Sequence, residues 1–147
     1  MLGISTGTET ILLLETEPEM RRLVGQMLLL AGYTVREAVD NAEIATLITE
    51  GGRPADLLLA DVAAPAMNGG KLAHRLNRQY PNLRILLTSD HPDDQEVLDV
   101  VAGGAHLLEK PFSPGALLTK VRQVLDGPLA YAASCAATAG GRYPAAS

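Results

Sequence analysis

Two apolar periods alternate along this chain. Short apolar runs at residues 11–14, 57–60, 85–88 and 105–108 have the length and flanking turn residues of buried strands, and residues 33–38 look like a further strand. Between them, apolar residues recur at the spacing of a helix face. Met20, Leu23, Val24, Met27, Leu28 and Ala31 make the first face, and Ile44, Leu47 and Ile48 the second. Leu72, Leu76 and Tyr80 make the third, Val97, Leu98 and Val101 the fourth, and Leu117, Leu118, Val121, Val124 and Leu125 the fifth. Thr16 and Glu19 have capping-box spacing, with Pro18 in the first turn; Asp40 and Glu43 repeat it, and Ser113 with Pro114 opens the last helix. Gly32, Gly51-Gly52, Pro81, Gly103-Gly104 and Gly127-Pro128 are the stops. Strict alternation predicts an α/β fold: a five-stranded parallel doubly wound sheet with helices on both faces.

The chain has 147 residues, enough for one domain with a real core. Residues 10–127 carry the pattern. Residues 1–9 are rich in Gly, Ser and Thr and read as a loose segment. Residues 128–147 are mostly Ala, Gly and Ser and read as a flexible tail, with an alanine-rich helix over 130–139 as the alternative. Net charge is −5 and the basic residues look dispersed, which argues against nucleic acid and anionic membranes as partners. No apolar run is long enough to span a bilayer, and one cysteine, Cys135, excludes an internal disulfide. A cytoplasmic protein is the simplest expectation.

Chemistry enters at the strand ends. In open parallel sheets the carboxyl ends of the strands converge on one edge, where sites form. That edge would collect Glu15, Thr16 and Glu17, then Asp61, then Thr88 and Ser89, then Lys110. Acids from two strands can hold a hard cation such as Mg²⁺. A carboxylate can accept a phosphoryl group, and a hydroxyl and an ammonium can bind its oxygens.

Residues 10–126 resemble the receiver domain of bacterial response regulators and hybrid histidine kinases, a flavodoxin-like fold. The matching motifs are Ile11-Leu12-Leu13-Leu14-Glu15-x-Glu17-Pro18, Leu57-Leu58-Leu59-Ala60-Asp61-Val62-x-x-Pro65-x-Met67-Asn68-Gly69, the hydroxyl position Ser89, and Lys110-Pro111-Phe112. The resemblance implies Asp61 as phosphoacceptor, Glu15 as the first acid of the Mg²⁺ site, and a backbone carbonyl of Ala63 as a metal ligand. It implies Ser89 as the phosphate-binding hydroxyl and Lys110 as the lysine contacting acceptor and phosphate. Phosphate would come from a histidine kinase or a histidine phosphotransfer protein. Partners would meet the fourth helix, fifth strand and last helix, with a homodimer through that face left open.

Three positions depart from the family pattern. Thr16 stands where the second metal-binding acid is expected, so Mg²⁺ should bind more weakly unless Glu17 compensates; the threonine can still cap the helix. Asp90 follows Ser89 where a small residue is usual. Leu107 replaces the aromatic residue that moves as the hydroxyl captures phosphate. Thr88 reads as strand interior, although a shift of one residue would exchange it with Ser89. His74, His91 and His106 read as ordinary surface, loop and strand-end residues. The first expectation is therefore a phosphoaccepting receiver, and the alternative is a degenerate receiver that binds partners without phosphorylation. An enzyme is not expected. Ala63 stands where an aspartyl-phosphate phosphatase needs a second aspartate, and the acidic turn Glu15–Glu19 has no glycine to cradle a nucleotide.

Overall fold

The structure is a computed structural model that describes residues 6–48, 54–67 and 71–128. The elements run β1 (Thr10–Leu14), α1 (Pro18–Leu30), β2 (Thr34–Ala38), α2 (Asn41–Leu47), β3 (Leu57–Asp61), a short 3₁₀ turn (Pro65–Met67), α3 (Lys71–Gln79), β4 (Arg84–Ser89), α4 (Gln95–Ala102), β5 (His106–Glu109) and α5 (Pro114–Asp126). The strands pair in the order β2-β1-β3-β4-β5, and every pair is parallel. The predicted sheet is present. The glycine pair expected to stop α2 and the tail from Leu129 onward lie outside the described residues.

Strand parity divides the core into two layers. Leu12, Leu14, Leu58, Ala60, Ile85 and Leu87 pack beneath α2, α3 and α4. Ile11, Leu13, Leu57, Leu59 and Leu86 pack beneath α1 and α5. The central strands are apolar on both faces because both are covered, so their sequence reads as continuous runs.

Four local expectations change. Thr16 does not cap α1: the N-cap residue is Glu17, without a side-chain cap bond, and the Glu15 carboxylate accepts from the Glu17 N–H at 3.2 Å. The helix begins at Pro18, so Thr16 stands one residue outside the N-cap position. Leu23 and Leu98 are 50% and 47% exposed. Each lies on the flank of a stripe whose centre is buried, Val24 and Leu28 in α1 and Val97 and Val100 in α4. Finally, residues 6–9, read as loose, are tied down. Gly7 N–H donates to the Ala31 carbonyl at 3.0 Å and Thr34 N–H to the Glu9 carbonyl at 3.0 Å. Arg122 Nη2 meets Glu9 Oε2 at 2.6 Å and Nη1 donates to the Thr6 carbonyl at 3.0 Å. Gly32, which ends the α1 turn, has φ +101°, and a Cβ there would meet the Gly7 carbonyl oxygen.

The other caps form as the sequence implies. Asp40 accepts from Glu43 N–H at 2.9 Å, and Ser113 Oγ accepts from Ala116 N–H at 3.0 Å with Pro114 in the first turn.

Candidate functional site

Side chains alternate along each strand, so the layer a terminal residue joins follows from its neighbours. Leu59 lies in the α1/α5 layer and Ala60 opposite, which returns Asp61 to the α1/α5 side. Leu14 lies opposite, so Glu15 shares that side. Glu15 is 4% exposed. Lys110 reaches across from the residue after β5: its Nζ is 3.0 Å from Asp61 Oδ2 and 3.4 Å from Glu15 Oε1. Three strand ends are therefore joined by one buried ammonium between two carboxylates.

Burial works to lower the Lys110 pKa. The hydrogen bond and charge of Asp61, then Glu15, outweigh it and hold the value above the ordinary lysine range. Lys110 is therefore a fixed cation at the position where a phosphoryl group on Asp61 would carry negative charge.

Backbone groups fix the acids. Asp61 Oδ1 accepts from Ala63 N–H at 3.0 Å. The Glu15 carbonyl accepts from Arg21 Nη1 at 3.0 Å. Lys110 N–H donates to the Ser89 carbonyl at 2.8 Å, and the Lys110–Pro111 bond that follows is cis.

The two hydroxyls separate. Asp61 and Thr88 are register partners on β3 and β4. Thr88, Asp61 and Glu15 line one narrow cavity floored by Leu59, Val24 and Phe112. Ser89 has the opposite parity, and its Oγ accepts from His91 N–H at 2.9 Å. The hydroxyl beside the acceptor is thus Thr88, and the sequence reading placed it one residue too far along. The signal that finds it is register: whichever β4 residue pairs with Asp61 shares its face. Under this register Ser89 takes the small-residue position, and Asp90, which is exposed, stands one step further from the acceptor. Leu107 is half-buried and packs in the α2/α3/α4 layer, on the Ser89 side.

Thr16 and Glu17 are exposed. Among the described residues, no cluster of three or more Asp, Glu, His or Cys side chains converges as a metal cage. The donor set still suits a hard cation by type, because Glu15, Asp61, the Ala63 carbonyl and the Thr16 hydroxyl are all oxygen ligands. It carries two carboxylates, and Lys110 offsets one of those charges. His91 is exposed, and His74 sits exposed on α3. His106 lies on β5, where burial, then the charges of Lys120 and Arg84, hold its pKa below the ordinary value of 6.5. None of the three joins the site. Among the described residues, no helix is long and apolar enough to cross a membrane.

Comparison with known proteins gives the same answer from sequence and from shape. The sequence profile of the response regulator receiver domain matches residues 11–122. Sensor kinase CckA of Brucella abortus is 31% identical over 82% of this chain and 13% of its own length. The phosphate regulon transcriptional regulatory protein PhoB of Pseudomonas aeruginosa is 31% identical over 80% of this chain and 52% of its own length. The chain thus spans about half, or less, of these curated relatives. A CheY-like receiver domain protein from Methanospirillum hungatei superposes with a TM-score of 0.72 at 23% identity, over 82% of this chain and 95% of that one. The receiver domain of an HD domain-containing protein from Pseudomonas fluorescens gives 0.71 at 26%, over 82% and 96%. With the sheet order, the strand-end acids and the bridging lysine, these matches place the chain in the response regulator receiver domain family of two-component signalling.

Proposed function

We propose that this receiver accepts a phosphoryl group on Asp61 from a phosphohistidine of a partner kinase or phosphotransfer protein. The observation that carries the reading is the Lys110 ammonium, 3.0 Å from Asp61 Oδ2 and fixed by Glu15 on its other side. In the transfer, the P–N bond of the donor breaks and a P–O bond to the Asp61 carboxylate forms. The imidazole leaves with a proton from solvent, and the product is an acyl phosphate. Lys110 pairs with the phosphoryl oxygens, and the Thr88 hydroxyl donates to one of them. Ala63 N–H, bonded to Oδ1, holds the carboxylate for attack. Glu15, Asp61, the Ala63 carbonyl and Thr16 would hold Mg²⁺, with Glu17 as the acid to compensate for Thr16. A bound Mg²⁺ supplies positive charge to the transferring oxygens.

Mg²⁺ and a small phosphodonor should give a phosphoryl adduct in the intact mass of the wild type and none in Asp61→Asn. Thr88→Ala should slow formation or shorten the lifetime of the adduct about tenfold or more, while Ser89→Ala should not. Absence of an adduct at saturating Mg²⁺, and from a cognate kinase, removes the proposal. The protein would then be a receiver that binds partners without phosphorylation, a reading that Thr16 favours.

A further inference from the structure

Charge is segregated along the chain. Residues 62–89 contain four Lys or Arg and no acid. Residues 90–109 contain six acids and no Lys or Arg. The fold converts this into a two-signed surface. β3 and β4 are neighbours, and the helices that follow them, α3 and α4, both pack on the Leu12/Leu58/Ile85 layer. They therefore lie on one face of the molecule.

On α3, Lys71, Arg75 and Arg78 are exposed at helical spacing and line an open groove of about 560 Å³. The basic residues that look dispersed in sequence form a stripe. Among the described residues, none of these three is within salt-bridge distance of a carboxylate. Lys71 opens the helix, where the macrodipole disfavours a cation, so helix stability does not explain it. On and before α4, Asp93, Asp94, Glu96 and Asp99 are all exposed.

We propose that the α3/α4 face is a self-association surface, and that a second copy of this chain covers it. A face with a positive strip beside a negative strip is its own complement under a two-fold axis, because rotation lays each strip on its opposite. The axis runs along the helices and preserves their direction. Lys71, at the start of α3, meets the partner's Asp94 and Glu96, near the start of α4. Arg78, at the end of α3, meets the partner's Asp99, near the end of α4. Every contact occurs twice. Exposed ion pairs are individually weak, so the dimer is reversible and steeply salt-dependent.

Sedimentation equilibrium of the full chain tests this. Between about 0.01 M and about 1 M salt the Debye length falls from about 30 Å to about 3 Å, and the dimer should dissociate across that range. Arg75→Glu with Arg78→Glu should weaken association about tenfold or more, and Glu96→Lys with Asp99→Lys should do the same. Mixing the two variants should restore a heterodimer, provided each keeps the wild-type circular dichroism and melting. Asp61→Asn should associate as the wild type does, so this outcome is independent of phosphorylation. A monomer up to the solubility limit at low salt overturns the proposal. So does a dimer indifferent to both charge reversals. A monomer whose stripe instead binds a polyglutamate peptide also overturns it, and assigns the stripe to a foreign acidic partner.

Discussion

Asp61 was legible because it ends a buried apolar run, where little else but a site or a turn would place a charge, and Lys110 because it follows a short strand and opens Lys110-Pro111-Phe112. Thr88 was not. Two hydroxyls stand side by side at the end of β4, and the choice between them depends on the partner strand, since Asp61 pairs with Thr88. That is a tertiary fact with no local signature. Under the proposed function, Thr16 is the departure that most weakens Mg²⁺ binding. Restoring a carboxylate there adds a charge near Glu15 and Asp61, whose mutual field currently includes only one net negative charge after Lys110. Thr16→Asp should raise Mg²⁺ affinity about tenfold or more, read by isothermal titration calorimetry. Unchanged affinity would mean that residue 16 does not reach the metal.

Helix starts separate into those that chemistry in sequence decides and those that a neighbour overrides. Asp40 caps α2, a helix of 7 residues whose Glu43 carboxylate also accepts from the Val39 N–H at 2.6 Å. Asp40→Ala should cost about 1 kcal/mol in urea-induced unfolding, and Asp40→Asn should recover most of it. Thr16 has the same capping-box spacing but makes no cap bond, since the helix starts one residue later, with Glu17 at the N-cap. Thr16→Ala should therefore fall well inside about 0.5 kcal/mol. The sheet itself was fully readable: β1, β3 and β4 are apolar on both faces, and only a doubly covered parallel sheet asks for that. The helix faces were less so. Periodicity gave a wide stripe in α1 and α4, but only its centre is covered, Val24 with Leu28 and Val97 with Val100, which leaves Leu23 and Leu98 half-exposed.

At the scale of the molecule, the end of the sheet opposite Asp61 is closed by Arg122. Its guanidinium joins Glu9, Asp126 and the Thr6 carbonyl, and its Nη1 lies 3.4 Å from the Tyr33 hydroxyl. Arg122 is the main cause of a lowered Glu9 pKa, acting through its hydrogen bond and against the opposing effect of burial. A carboxyl whose folded pKa is depressed contributes stability above its unfolded value, and that contribution is lost as pH falls through the folded value. Glu9→Gln should thus be less stable than the wild type at neutral pH, with the gap in melting temperature closing below the ordinary value of 4.5. A gap that persists in acid would show that packing, not charge, is lost. None of this was visible in sequence, because Glu9 and Arg122 stand at opposite ends of the domain and nothing local pairs them.

The same clasp decides where the molecule can be handled. Thr6 and the end of α5 are drawn together below β1, whose five residues at about 3.3 Å each put roughly 16 Å of sheet between them and Glu15. A fluorophore or surface tether joined at Thr6 or at Gly127 would sit on the far side from the acceptor, leaving the carboxylate open to its donor while the protein is watched.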